Sequence, residues 1–180
     1  MANGALGYWC RRASLAYQQM QKRHRPLWRY VHQFINKNNI TSCLEVGCGM
    51  HPPVKPWVHD WWGIDLNQQV KDAYHIDFTG PMFVPMQITK KDLLLACAVI
   101  EHTDRWNIFL DHAAQYNAPW TFVTFFNGLE RSRSKIRVTK DGIYVNSYAR
   151  STITAKCKEL GLDFRYEQIE QDAILIIKGK

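Results

Sequence analysis

Apolar positions along the chain follow two rhythms, one helical and one extended. Leu27, Val31, Phe34 and Ile35 recur at helical spacing behind Pro26, a residue suited to a first helical position, and Asn38-Asn39 closes that segment. Short apolar runs bounded by turn residues come next: Ser42–Val46, Trp61–Asp65, Tyr74–Asp77, Asp92–Ala98 and Trp120–Phe126. Each has the length and composition of a strand. A short helix over Val54–His59 links the first two. Thr103-Asp104 can cap a helix that buries Trp106, Phe109, Leu110 and Ala113. Ser151–Leu160 predicts another, with Ile153, Cys157 and Leu160 inward and Gly161 as its stop. Phe164–Ile169 and Ala173–Lys178 predict a closing hairpin. Strands alternating with helices imply an α/β domain, a mostly parallel sheet covered on both faces, ending in an antiparallel pair.

Three stretches fall outside this rhythm. Residues 1–25 form a polar, basic extension, with a partly helical run from Ala13 to Met20, ahead of one domain over 26–180. Pro81–Lys90, which carries Pro81 and Pro85, reads as an irregular connection. Asn127-Gly128 opens an insertion near 131–148 whose segment Lys135–Val145 predicts a hairpin turned by Asp141-Gly142.

Composition narrows the class. A chain of 180 residues with 46% hydrophobic and 22% charged residues builds one ordinary globular core. No apolar run approaches the ~18 residues of a membrane span. The first ten residues lack the basic start and apolar core of a secretory signal. Five scattered cysteines without a C-x-x-C pair indicate neither a disulfide framework nor a metal site, so a reducing cytoplasm and no metal are expected. Net charge is +7, and the basic residues cluster. Arg11, Arg12, Lys22, Arg23, Arg25 and Arg29 form one group; Arg131, Arg133, Lys135, Arg137 and Lys140 form the other. Such fields attract nucleic acid, nucleotides, phosphorylated metabolites or an acidic membrane surface.

The chemistry concentrates in Thr41–Met50, where an apolar strand carrying Glu45 runs into Gly47-Cys48-Gly49. Glycines there let the backbone turn sharply and approach a ligand. The second strand ends in Asp65, 18 positions after Gly47, with Leu66 beside it. That is how doubly wound folds grip a ribose diol. A pyrophosphate-binding turn wants a third glycine, but Pro52 stands at that position, which argues against a nicotinamide-dependent oxidoreductase. Glu45 lies within a strand, where an unpaired carboxylate is costly, so it is expected to hydrogen-bond the glycine loop and shape the pocket.

Together with Val99-Ile100-Glu101-His102 after the fourth strand, Leu44-Glu45-Val46-Gly47-Cys48-Gly49 resembles the class I S-adenosylmethionine-dependent methyltransferases over residues 26–178. The resemblance implies a Rossmann-like three-layer sandwich with a seven-stranded sheet in the order 3-2-1-4-5-7-6, and S-adenosyl-L-methionine as cofactor. It implies that Asp77 receives the adenine amino group with Phe78 beside the ring. It also implies that the backbone at Ala96 and Cys97 meets the amino-acid end. His51 stands where small residues are commoner in the family.

His102 is the candidate general base, for acceptors that must shed a proton; in the family the Glu-His pair also fixes its loop. The acceptor site is expected after strands four and five, among Asn127, Arg131, Arg133, Tyr144, Asn146 and Tyr148. Arginines beside tyrosines suit a phosphorylated or nucleic-acid-derived acceptor. Absence of Asn/Asp-Pro-Pro-Tyr and of Pro-Cys after strand four disfavours exocyclic amino methylation of DNA bases by that route and a cytosine-C5 cysteine nucleophile. Two functions remain: a methyltransferase, or a degenerate relative that binds nucleic acid or a protein without turnover.

Overall fold

The strands assemble around β1 (Ser42–Val46), which pairs in parallel with β2 (Asp60–Ile64) on one side and β4 (Leu93–Cys97) on the other. The structure is a computed structural model and describes residues 23–80, 89–126, 128–130, 132–140, 142 and 144–180. The expected helix Ala13–Met20, most of Pro81–Lys90, Asn127, Arg131 and Asp141 lie outside them. β3 (Ala73–Tyr74) extends the sheet beyond β2, and β5 (Trp120–Phe125) beyond β4, both parallel. β6 (Asp163–Ile169) and β7 (Asp172–Lys178) form the closing hairpin, with β7 inserted antiparallel beside β5. The sheet order is β3-β2-β1-β4-β5-β7-β6, as the resemblance implied.

Alternation along the strands sorts the core into two layers. Cys43, Leu93, Leu95, Phe122, Ile174 and Ile176 face α1 (Arg25–Lys37), which lays Leu27, Val31 and Ile35 on them. Leu44, Leu94, Ala96, Val123, Leu175 and Ile177 face the other way. There α2 (Trp106–Tyr116) contributes Phe109, Leu110 and Ala113, and α3 (Arg150–Glu159) contributes Ile153 and Cys157. Each fully buried leucine or isoleucine contributes about 1.5–3 kcal/mol, so β4, buried from Leu93 to Ala96, anchors the sheet.

Several boundaries differ from the sequence reading. A 3₁₀ turn at Lys55–Trp57 replaces the helix over Val54–His59, because Pro52, Pro53 and Pro56 remove backbone donors. β3 stops at Tyr74, where the Ile76 N–H folds back onto the Tyr74 carbonyl at 2.9 Å, so Asp77 lies beyond the strand. α2 starts at Trp106: Thr103 Oγ1 accepts the Arg105 N–H and shapes the approach without capping the helix. Gly161, at φ +61°, follows α3 as expected. The insertion is a sparse hairpin, bridged at Lys135–Ser147 and Val138–Tyr144, with a Gly142 N–H to Thr139 carbonyl turn.

Candidate active site

The carboxyl ends of β1, β2 and β4 converge where the strand order reverses, the place where open α/β sheets bind ligands. Gly47 (φ +66°) and Gly49 (φ +63°) both adopt left-handed backbone. A Cβ on Gly47 would stand 2.5 Å from Val99 Cγ2, so the β1 and β4 loops close-pack only because Gly47 has none. A Cβ on Gly49 would point into open space, and that opening is the cradle. Cys48 between them is buried, and burial raises its thiol well above the ordinary range. It therefore offers the site backbone rather than thiolate.

Asp65 ties the cradle together. Its Oδ2 accepts the Gly49 N–H at 2.8 Å and its Oδ1 accepts the Asn67 N–H at 2.8 Å. Each oxygen retains a lone pair, so the carboxylate is oriented and still able to accept from a diol. Leu66 beside it is exposed. Glu45 does not bond the glycine loop. It lies in the central strand, 1% exposed, and accepts the Trp61 indole N–H at 2.8 Å. Oε1 has no partner among the described residues, and burial pushes the carboxyl up to about 8. Trp61 reaches Glu45 by crossing Gly63, where a Cβ would strike its ring. The expected pocket-shaping bond gives way to one with the indole of the neighbouring strand.

Asp77 Oδ1 accepts both the backbone N–H and the hydroxyl of Thr79, and Arg105 lies 3.9 Å from Oδ2. Phe78 is buried in the α2 layer, its ring 4.9 Å from that of Phe109. Its carbonyl accepts His112 Nδ1 at 2.6 Å. The structure thus puts the Asp77 carboxylate at the surface of the corner and the Phe78 ring in the core beneath it.

After β4 the chain turns through Ala98, at φ +52° without being glycine. Such a conformation costs about 1–3 kcal/mol and persists only where neighbours enforce it. Thr124 of β5 does so: its buried Oγ1 accepts the Ala98 N–H at 3.1 Å and donates toward Cys97 Sγ at 3.4 Å. Ala96 is buried in the strand, and the Cys97 thiol is raised by burial. Sequence reasoning missed both Ala98 and Thr124; neither residue type signals a strained turn.

A 3₁₀ turn, Ile100–His102, then lines the rim. His102 Nδ1 lies 2.8 Å from the Tyr144 carbonyl, which can only accept, so the Nδ1 proton is placed and Nε2 carries the lone pair. Burial lowers its pKa and keeps the ring neutral. The return strand of the insertion is stitched to this turn. Tyr148, 1% exposed, sets its hydroxyl 3.0 Å from the Ile100 carbonyl and 3.2 Å from that of Thr103. Asn146 is buried; its N–H reaches the Glu101 carbonyl and its Nδ2 the Thr103 carbonyl. Tyr144 donates to Asp104 at 3.1 Å. The structure therefore brings Tyr144, Asn146 and Tyr148 to His102, with Asn146 and Tyr148 spent on holding its loop. Arg133 stands apart, exposed on the outgoing strand.

One cluster joins Glu101 of the Glu-His motif to His24 and Asp172, neither of which had a sequence signal. Glu101 is 9% exposed, and its Oε2 has no partner among the described residues. Burial, with Asp172 nearby, pushes this carboxyl up to about 8. Asp172 Oδ2 binds His24 Nδ1 at 2.6 Å, and the His24 ring stacks 3.8 Å from Phe126. All lie at the carboxyl ends of β4 and β5. Among the described residues no group of three or more His, Cys, Asp or Glu is placed to hold a metal, and no helix is long and apolar enough to cross a membrane.

Comparison with solved structures finds this fold among methyltransferases. The DhpI–SAH complex superposes with a TM-score of 0.70 at 13% identity, covering 98% of this chain and 95% of that one. The fold is the one these enzymes share. The Burkholderia thailandensis 1,6-didemethyltoxoflavin-N1-methyltransferase, solved with its substrate and S-adenosylhomocysteine, gives 0.68 at 9% identity, covering 100% and 91%. Magnesium protoporphyrin IX methyltransferase from Synechocystis PCC 6803, solved with S-adenosylmethionine, gives 0.62 at 12% identity, covering 93% and 85%. No protein-family model matches the sequence, and no curated protein sequence matches it.

Proposed function

We propose that the chain is an S-adenosylmethionine-dependent methyltransferase acting on an anionic or nucleotide-like acceptor. The observation that carries this reading is the Asp65 carboxylate, bonded to the Gly49 N–H and placed at the tip of β2 beside the open face of Gly49. A ribose acceptor and a Cβ-free turn thus meet at the switch point of a methyltransferase fold. When bound, the cofactor supplies a methyl group on a sulfonium, with a neutral thioether as leaving group.

The residues present fit that ligand. Asp65 would hold the ribose, the Gly47–Gly49 backbone and the backbone at the Ala96–Cys97 end of β4 the amino-acid part, and Asp77 the adenine amino group. In-line displacement needs alignment and exclusion of water, so the chain requires no nucleophile of its own. His102, its Nδ1 held at the Tyr144 carbonyl, is the residue placed to take the proton of an acceptor hydroxyl or amine. Glu101, protonated near neutrality, offers a hydrogen bond from the same rim.

The test is calorimetric binding of S-adenosylhomocysteine to the wild type and to Asp65→Ala. Micromolar binding by the wild type, weakened by about 1.5–3 kcal/mol in the variant, is expected. Equal affinity in both would remove Asp65 from the site. Binding without turnover over a panel of phosphorylated and nucleoside acceptors would favour the non-catalytic binding module.

A further inference from the structure

The two strands of the insertion have opposite characters. The return strand is anchored by buried Asn146 and Tyr148, whereas the outgoing strand is exposed without interruption from Lys135 to Lys140. Ile136 is 56% exposed, Val138 55%, and Val145, across from Arg137, 46%. Five of the ten residues from Arg131 to Lys140 are basic and none is acidic. Lys135 pairs with Glu130 at 2.8 Å, while Arg133, Arg137 and Lys140 make no ion pair with a described residue.

We infer that this hairpin is a tongue that docks on an anionic lipid bilayer surface. The alternation of charge and aliphatic side chain decides between partners. A protein interface gathers apolar residues into a core depleted of charge, and here only Ile136 and Val138 share a face of the outgoing strand, with Lys140 next along it. A nucleic-acid strand stacks its bases on aromatic rings. Tyr144 is half-buried with its hydroxyl on Asp104, and Tyr148 is in the core. At a bilayer interface the same alternation is satisfied residue by residue. Ile136 and Val138, on one face of the outgoing strand, enter the acyl boundary, and the stems of Arg133, Arg137 and Lys140 carry their charges to the lipid phosphates. Each basic residue near such a surface strengthens partitioning roughly fivefold. Because the return strand grips the loop that carries His102, docking brings the site to the membrane surface. The acceptor would then be an amphiphile with an anionic head group, an extension that rests on the transferase reading.

Flotation of the full chain with phospholipid vesicles at low salt tests the proposal. Binding is expected to vesicles of equal parts phosphatidylglycerol and phosphatidylcholine, and not to phosphatidylcholine alone. Replacing Arg133, Arg137 and Lys140 together by glutamine should lower partitioning about a hundredfold. Ile136→Thr with Val138→Thr should lower it severalfold at unchanged charge. S-adenosylhomocysteine affinity, measured on the same proteins, should not change, since every altered residue is exposed. Loss of that binding in the wild type would sink the transferase reading while leaving the flotation result standing. Wild-type protein that stays off the anionic vesicles, or variants that float as well as it does, would overturn the tongue. So would tighter binding to an oligouridylate that the charge variant loses and the threonine variant keeps.

Discussion

Asp65 and Glu45 sit on neighbouring strands and show two fates of a carboxylate. Asp65 was legible from its spacing to Gly47, because a strand tip is reached by counting residues. The partner of Glu45 was not, since it depends on Trp61 crossing the bare Gly63 of the next strand. Burial leaves Glu45 and Glu101 protonated up to about pH 8, while the unfolded chain releases these protons near 4.5. Between those values the folded chain binds more protons, so its stability falls as pH rises, by up to about 1.4 kcal/mol per unit for each group. The contribution is whole below the unfolded value and lost by the folded one. His102 works in the opposite sense, its contribution declining as pH falls through its lowered value. Thermal melts should show Tm falling between about pH 5.5 and 8. Glu45→Gln with Glu101→Gln should flatten that slope; a slope identical to wild type would mean both carboxyls ionise in the fold.

At the scale of elements, strands and long helices were legible wherever periodicity was strong, as in α1 and β4. The short connections were not. Three prolines between β1 and β2 convert an expected helix into one 3₁₀ turn, and β3 loses its pairing two residues after it starts. The hairpin's turn was readable from Asp141-Gly142, but its grip on the Ile100–His102 turn was not, because side chains 40 or more residues apart make it. Tyr148→Phe would leave the Ile100 carbonyl without its buried donor, while Asn146 Nδ2 still reaches that of Thr103. A loss of about 1–3 kcal/mol in denaturant melts is expected, with faster hydrogen exchange across residues 100–104. Tyr144→Phe, whose hydroxyl meets an exposed Asp104, should leave the midpoint where it is. Equal effects from the two would show that the hairpin is not fastened through Tyr148.

Across the whole molecule, the sheet order and two-layer core followed from the alternation of strand and helix, reinforced by the resemblance. What joins the two ends of the described chain did not. His24, just ahead of α1, meets Asp172, the first residue of β7, 148 positions away. Neither residue type announces such a pair. Asp172→Asn removes the charge that holds the imidazole against Phe126 and should cost about 1–3 kcal/mol, with faster proteolysis ahead of α1. Unchanged stability and cleavage would make the contact incidental. The position of β7 has a further consequence for how the chain is made. It follows every other strand in sequence yet lies between β5 and β6. During synthesis the strand Trp120–Phe125, rich in aromatic and β-branched residues, waits with one edge bare until Asp172–Lys178 has left the ribosome. That interval, rather than the finished fold, is when this protein is most exposed to edge-to-edge association and most dependent on chaperones.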